Sequence, residues 1–324
     1  MKNKAKLFIF LSVTVVAVLV FISCKVFMGT SSASQTRGEY TGSYNGGKTI
    51  EYNGQTYTER TRIETYLLIG VDNIGEASSK SGGQSDFLRV VVIDSEQKRV
   101  THIPIDRDTI TPITVVGVLG NKSGEINAQI CLSHAFGDGG AQSCALTVDA
   151  VSNLLQGEEI DGYLAFNMSD IAVINDWAGG VTVTVEDDLT ALDPEMKPGA
   201  TIKLIGDQAE TFVRARMSVG DGTNTARMRR QEEYLKAFAS SAKAAIKQNK
   251  NAVGELLDLL NESLITNVSR GRLLNRANDI LDYESVVLNI GGTHTVGSDG
   301  FKEFYADEAS LKQTIIDAFY KATE

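Results

Sequence analysis

Hydrophobic and polar positions divide the chain into three regimes. Residues 7–24, LFIFLSVTVVAVLVFISC, are apolar or small throughout and carry no charge. Residues 29–47, GTSSASQTRGEYTGSYNGG, are rich in Ser, Thr and Gly and offer too little apolar surface to bury, the composition of a flexible spacer. Beyond them, short β-prone runs alternate with helical periodicity. In TIEYNGQTYTER, Asn53-Gly54 between two β-prone arms predicts a hairpin. YLLIGVD (66–72) is a continuous apolar run ending in a polar residue, the pattern of a buried strand. FLRVVVID (87–94) and RVTHIPI (99–105), separated by the polar SEQK, predict a second hairpin. AQSCALTVDAVSNLL (141–155) reads as a helix with Val148, Val151 and Leu155 on one stripe, and GYLAFNM (162–168) as a strand. SDIAVINDWAGG reads as a short helix with Ser169 as N-cap and Gly179 just past its end. VTVTVE (181–186) alternates, with Val181, Val183 and Val185 facing one way. From Arg230 to Ile246 the periodicity is helical, with Leu235, Phe238, Ala242 and Ile246 inward. Further helical stretches near 254–282 and 308–322 enclose the apolar SVVLNI (285–290). Strands mixed with helices predict an α/β (α+β) domain: a single mixed β-sheet flanked by helices on both faces.

The first regime sets the compartment. Eighteen residues at about 1.5 Å each span about 27 Å, close to the hydrocarbon thickness of a bilayer. Lys2, Lys4 and Lys6 precede the run, which predicts a cytoplasmic N-terminus and an outward-facing remainder. The expected organisation is a cytoplasmic tail (1–6), a single-pass signal-anchor helix in the cell membrane (7–24), an extracellular spacer with a small hairpin (25–61), a catalytic domain (62–245) and a helical C-terminal part packed on it (246–324). A cleaved signal peptide ending near Ser32-Ala33-Ser34 and a lipoprotein signal ending at Cys24 are the alternatives, and both also place the domain outside the cytoplasm. The net charge of -10 argues against nucleic acid as a partner, so any anion site has to be built locally. The three cysteines and three histidines show no zinc spacing.

Arginines supply such a local site. Arg214 and Arg216 lie in TFVRARM; if that stretch is extended, both project from one face. After the GDGTN turn, Arg227, Arg230 and Gln231 of ARMRRQEEYL share a helix face, while Arg229 points elsewhere. Arg227 falls in the first turn, where the helix dipole favours an anion. Guanidinium forks bind phosphate oxygens bidentately, so a strand and a helix start presenting them form a pyrophosphate clamp. The alternative for each arginine is an ion pair with Glu210, Asp221, Glu232 or Glu233. Asp72 ends one strand and Asp86 opens the next; Arg107 and Asp108 follow the third in IPIDRDT. Two carboxylates beside a pyrophosphate suit Mg²⁺, with Mn²⁺ as the alternative, whereas a lone strand-end Asp is a cap or turn former. Cys131 and Cys144 flank a glycine turn thirteen residues apart and are expected to form a disulfide, the alternative being two buried thiols. Gly137-Asp138-Gly139-Gly140 is read as the start of the helix at 141 rather than a phosphate nest. P-loop, dinucleotide-binding and nucleophile-elbow motifs are absent.

Taken in order, LLIGVD, QSD (84–86), IPIDRDT, EINAQ (125–129), Gly139-Gly140, NDWAGGV (175–181), FVRAR (212–216) and RMRRQ (227–231) resemble the LytR-CpsA-Psr family of bacterial cell-envelope proteins. The resemblance runs from about residue 62 to 245, and the membrane segment at 7–24 agrees with it as well. It implies a phosphotransferase that moves a glycan polymer from a polyprenyl-pyrophosphate carrier to a peptidoglycan acceptor, with Asp72, Asp86 and Arg107 catalytic. Arg107, Arg214, Arg216, Arg227, Arg230 and Gln231 would bind pyrophosphate, and Asp72 and Asp86 would hold the metal. Three departures mark a divergent branch: Gln84 in place of the usual Arg, two extra residues in IPIDRDT, and the Asp before RxxRQ displaced to Asp221. The competing readings are a non-catalytic regulator of envelope gene expression and a module that binds lipid-linked glycan without turnover.

Overall fold

The computed structural model describes residues 48–72, 83–117, 120–215 and 224–323. The expected membrane segment 7–24 and spacer, and also Arg216 and Asp221, lie outside these. Among the described residues no helix is long and apolar enough to cross a membrane.

Strands β1 (Thr49–Tyr52) and β2 (Gln55–Glu59) form the first expected hairpin. Its turn, Asn53 at φ 51° and Gly54 at φ 77°, has the left-handed pair of residues that a two-residue hairpin requires. The chain continues through β3 (Ile63–Val71), β4 (Ser85–Asp94), β5 (Arg99–Ile105), β6 (Ile110–Val116) and β7 (Lys122–Gln129). Helices α1 (Leu132–Ala135) and α2 (Ala141–Leu154), strand β8 (Gly162–Asn167), helix α3 (Asp170–Trp177) and strands β9 (Val181–Thr184) and β10 (Thr201–Leu204) follow. Next come α4 (Asp207–Arg214), α5 (Asn224–Gln248), α6 (Ala252–Leu259), β11 (Ile265–Thr266) and α7 (Arg270–Ile280). The last elements are β12 (Glu284–Val287), β13 (Gly292–Val296), β14 (Lys302–Ala306), α8 (Glu308–Phe319) and β15 (Tyr320–Ala322).

The central sheet has the order β11-β8-β3-β4-β5-β12 and is mixed: β3 runs parallel to β8 and antiparallel to β4, and β5 runs parallel to β12. The β4–β5 hairpin forms as the SEQK spacing predicts. Strand β3 reads as an unbroken apolar run because both its faces are covered. Tyr66 and Leu68 join a core with Phe212, Phe238, Leu256 and Leu273 from α4 to α7. Leu67, Ile69 and Val71 join a second core with Val151 of α2 and Ile315 and Phe319 of α8. Helices on both faces are thus observed. Each fully buried Leu or Ile along β3 contributes about 1.5–3 kcal/mol, and the two cores together fix its register.

Several expectations need correction. Among the described residues the expected single sheet is one central sheet with four small ones around it, among them β1-β2-β15, which ties the N-terminal hairpin to the strand at 320–322. The part beyond 246 is not only helical: β12 completes the central sheet and β13–β14 form a hairpin. The stretch near 254–282 is two helices separated by β11. Ser169 occupies the N-cap position of α3 as expected, but its side chain accepts no capping hydrogen bond; Asp170 Oδ2 accepts from the Asn167 amide at 3.0 Å. Within TFVRARM, residues 211–214 are not extended but form the end of helix α4.

Candidate active site

The site begins at an irregularity between β3 and β4. Gly70 pairs with Phe87 and Val71 with Ser85, so Asp86 is the extra residue of a β-bulge. Bulges re-aim a side chain, and this one lies where the end of β3, followed by Asp72, meets the start of β4, which carries Asp86. Gly70 is required there: a Cβ would lie 2.8 Å from Phe87 Cβ.

Asp86 is a hub. Its Oδ1 accepts from Arg107 Nη1, and its Oδ2 faces Arg227 Nη1 at 3.4 Å. Arg107 reaches it from the turn after β5; its Nη2 also donates to Gln84 Oε1 and, at 3.4 Å, to Cys131 Sγ. The departure at position 84 therefore has a structural use: a neutral acceptor holds Arg107 where an arginine would repel it. Burial opposes the Arg107 charge, but Cys131, Asp86 and Asp108 hold its proton affinity above the ordinary value. Arg227 lies in the first turn of α5, as expected, and donates to Asn224 Oδ1 at 2.7 Å.

Arg214 arrives by a different route from the one the sequence suggested. It ends α4, where a cation suits the helix dipole, and bridges Glu210 at 2.5 Å and Asp72 at 2.8 Å. Its side chain is 39% exposed, so the guanidinium is open to a ligand. Burial disfavours its charge, yet Glu210 and Asp72 raise its affinity for the proton. Asp72, Asp86, Arg107, Arg214 and Arg227 thus come together.

Arg230 and Gln231 are both bonded to the backbone of α4, and Gln231 also lines the cavity beside the cluster. Arg230 is 2% exposed; its Nε donates to Phe212 O at 3.3 Å, its Nη2 to Ala215 O, and its Nη1 to Asp187 Oδ2 at 2.5 Å. Gln231 Nε2 donates to Val213 O at 3.4 Å. Both hold the C-terminal end of α4. Of the ion pairs weighed as alternatives, Arg214–Glu210 forms, whereas Glu232 pairs with Arg89 at 2.6 Å and Glu233 accepts from the Thr184 amide at 3.0 Å. Arg229 pairs with Glu186 and Asp187.

The expected disulfide is absent. Cys131 and Cys144 are separate buried thiols, the first turned to Arg107 and the second 3.9 Å from His134 Nε2. Cys144 sits on the inward stripe of α2, so the glycine turn between them does not bring the sulfurs together. Burial pushes the Cys131 thiol up to about 11 and the Cys144 thiol up to about 12. Neither should react with a maleimide in the native protein at neutral pH, and both should react after denaturation without reductant. Peptide mapping that finds them unlabelled after denaturation and labelled only after reduction would restore the disulfide. The glycine-rich turn starts a helix, as read: Asp138 Oδ1 accepts from the amides of Gly140 at 2.7 Å and Ser143 at 3.3 Å, filling the place an anion would take. Among the described residues no group of three or more His, Cys, Asp or Glu side chains is placed to hold a metal ion by itself.

A cavity of about 810 Å³ opens beside this cluster. It runs along β4, β5 and β12 under α5, from Asp86, Arg107 and Asn224 at one end to Glu284 at the other. At about 3.3 Å per residue along β5 it extends roughly 20 Å. Phe87, Pro104, Met228, Val286, Val287 and Ile290 make its lining largely apolar. Three residues here escaped sequence reasoning. Asn224 joins Arg227 to Asp106, and His294 meets Asp106 from the far hairpin. Asn224 was within reach, three residues before Arg227; His294 is 188 residues from its partner and leaves no local signal.

Comparison with known proteins agrees with this fold. A polyisoprenyl-teichoic acid–peptidoglycan teichoic acid transferase, TagU of Bacillus mycoides (strain KBAB4), is 28% identical over 251 residues, 77% of this chain and 75% of its own. The fold matches a structure of TagT bound to LI-WTA with a TM-score of 0.61 at 20% identity, covering 80% of this chain and 90% of the other. It matches B. subtilis TagV with a TM-score of 0.59 at 21% identity, covering 79% and 96%. The model of the LytR_cpsA_psr family matches residues 26–316, and on that span the chain belongs to the LytR_cpsA_psr family.

Proposed function

We propose that this protein transfers a glycan polymer from a polyprenyl-pyrophosphate carrier to peptidoglycan at the outer face of the cell membrane, anchored there by residues 7–24. The observation that carries the proposal is the junction of an arginine–carboxylate cluster with an elongated apolar cavity: one end suits a pyrophosphate, the other a prenyl chain. The teichoic acid transferase similar over three quarters of its length supports the reaction class.

In this mechanism Arg214 and Arg107 turn from their carboxylates to the phosphate oxygens, each offering a planar fork. Arg227 adds charge from the start of α5, where free backbone donors also favour an anion. Fixed donors aimed at the leaving phosphate stabilise the charge that develops as its bond breaks. The carboxylates of Asp72 and Asp86 fit a hard cation in donor type: both are oxygen ligands at the same end of the paired strands β3 and β4, and Arg214 feels the charge of both. They would hold Mg²⁺, or Mn²⁺, only together with the pyrophosphate, because two carboxylates rarely strip its waters. When bound, the ion would neutralise charge on the pyrophosphate oxygens.

The test is transfer from a polyprenyl-pyrophosphate-linked glycan to peptidoglycan, followed by release of polyprenyl phosphate. The wild-type chain should transfer, and Asp72→Asn should lose about a hundredfold to a thousandfold in rate, the scale for one preorganised group at a developing charge. Asp72 is 38% exposed, so melting should stay put. No transfer by the wild type would overturn the proposal; full activity of Asp72→Asn with chelator present would remove the metal from it.

A further inference from the structure

The acceptor hydroxyl needs a proton acceptor, and none of the arginines or metal-facing carboxylates described above can serve while they hold pyrophosphate. The hairpin β13–β14 brings one histidine to the same cavity. His294 Nε2 lies 2.9 Å from Asp106 Oδ2. Asp106 is 7% exposed, and its other oxygen accepts from Asn224 Nδ2 at 2.6 Å and from the Asp108 amide at 2.9 Å. Phe304 packs against the imidazole with ring centroids 4.7 Å apart. The hairpin itself is pinned to the segment after β5, since the Phe304 amide donates to Asp108 O at 2.8 Å and Thr109 bridges Phe304. The ring is therefore fixed from two sides, although it lies on a strand that is otherwise exposed along its length.

This placement determines the tautomer. A carboxylate fed by other donors accepts from the Nε2 proton, which leaves the lone pair of a neutral imidazole on Nδ1. His294 is 39% exposed on its side chain and lines the cavity with Asp86, Arg107 and Asn224. Hydrogen bonds run from it through Asp106, Asn224 and Arg227 to Asp86, and Asp106 directly precedes Arg107 in the chain. A carboxylate that orients an imidazole beside a group that stabilises charge is the arrangement of a general base.

We propose that His294, oriented by Asp106, is the general base for the acceptor sugar hydroxyl; this rests on the transfer reaction proposed above. The hydroxyl oxygen forms a bond to the glycan-bearing phosphorus, and its proton passes to His294 Nδ1. The bond from that phosphorus to the bridging oxygen breaks, and polyprenyl phosphate leaves with the electron pair. The imidazolium then returns its proton to water.

The experiment compares full-length wild type and His294→Ala in the same transfer assay, with and without added imidazole, and measures the KM for the lipid-linked glycan. General-base loss should lower kcat by about a hundredfold to ten-thousandfold with little change in that KM. Imidazole should restore part of the rate to the variant and none to the wild type. A wild-type enzyme that transfers while His294→Ala keeps its rate within about threefold would overturn the assignment and leave the reaction standing. So would a lost rate that imidazole does not lift, which would mark His294 as only a clasp for the hairpin. A wild type that transfers nothing would overturn both.

Discussion

Arg214→Lys is expected to slow glycan transfer about a hundredfold to a thousandfold and to change stability by less than about 1 kcal/mol. The two halves of this expectation rest on different features. For stability, Arg214 is 39% exposed and its partners Asp72 and Glu210 are 38% and 21% exposed, so its ion pairs are wetted and weak. Lysine also keeps the charge at the C-terminal end of α4, where it meets the helix dipole. For rate, lysine keeps one charge but loses the planar fork that can hold two phosphate oxygens at once. Asp72 holds that fork within the electrostatic reach of Asp86, on which Arg107 and Arg227 converge from the turn after β5 and from the start of α5. The measurement is paired: transfer from a polyprenyl-pyrophosphate-linked glycan, and the melting temperature of the same variant. Slow transfer with unchanged melting is the expected result. Unchanged transfer would return Arg214 to the surface ion pair with Glu210 that its sequence context also allows.

The parts of this fold that were legible in the sequence are those in which short-range pattern and burial agree. The apolar run of β3 follows from cores on both its faces, and the polar SEQK between two β-rich runs marks the β4–β5 turn. Helix α2 keeps a stripe over 14 residues, enough to define a period. Helix α4 was misread because Thr211, Phe212 and Val213 favour strands while its helical span is only 8 residues. A helical signal was present: Ala209, Phe212 and Val213 are buried at spacings of three and four. In the site, Asp72, Asp86, Arg107 and Arg227 were legible because each stands at a strand or helix end. The aim of the Asp86 side chain was not, since a bulge leaves no pattern of its own. Which way each buried polar group turns depends on partners far along the chain, so the thiols of Cys131 and Cys144, the His294–Asp106 contact and the role of Arg230 emerged only in three dimensions.

Asp187→Ala is expected to destabilise the protein by about 3–5 kcal/mol, because it leaves a buried guanidinium without its counter-charge. Arg230 is 2% exposed and Asp187 13% on their side chains, so solvent cannot replace the lost partner. The other Arg230 donors go to neutral carbonyls, Phe212 O and Ala215 O, which satisfy hydrogen bonds but do not neutralise the charge. At about 2–4 °C per kcal/mol for a large domain, melting should fall by roughly 6–20 °C. The consequence reaches the site through geometry. Arg230 grips the last turn of α4, Arg214 is the final residue of that helix, and Ala215 leaves it at φ -49° and ψ 123°. A loosened Arg230 therefore frees the arm that carries Arg214 to Asp72, and transfer should slow even well below the melting point. Calorimetry of Asp187→Ala together with the transfer rate at low temperature checks both parts. A melting temperature within about 2 °C of wild type would mean that Arg230 does not depend on this carboxylate, and would favour the pyrophosphate-binding role that its place in RMRRQ suggests.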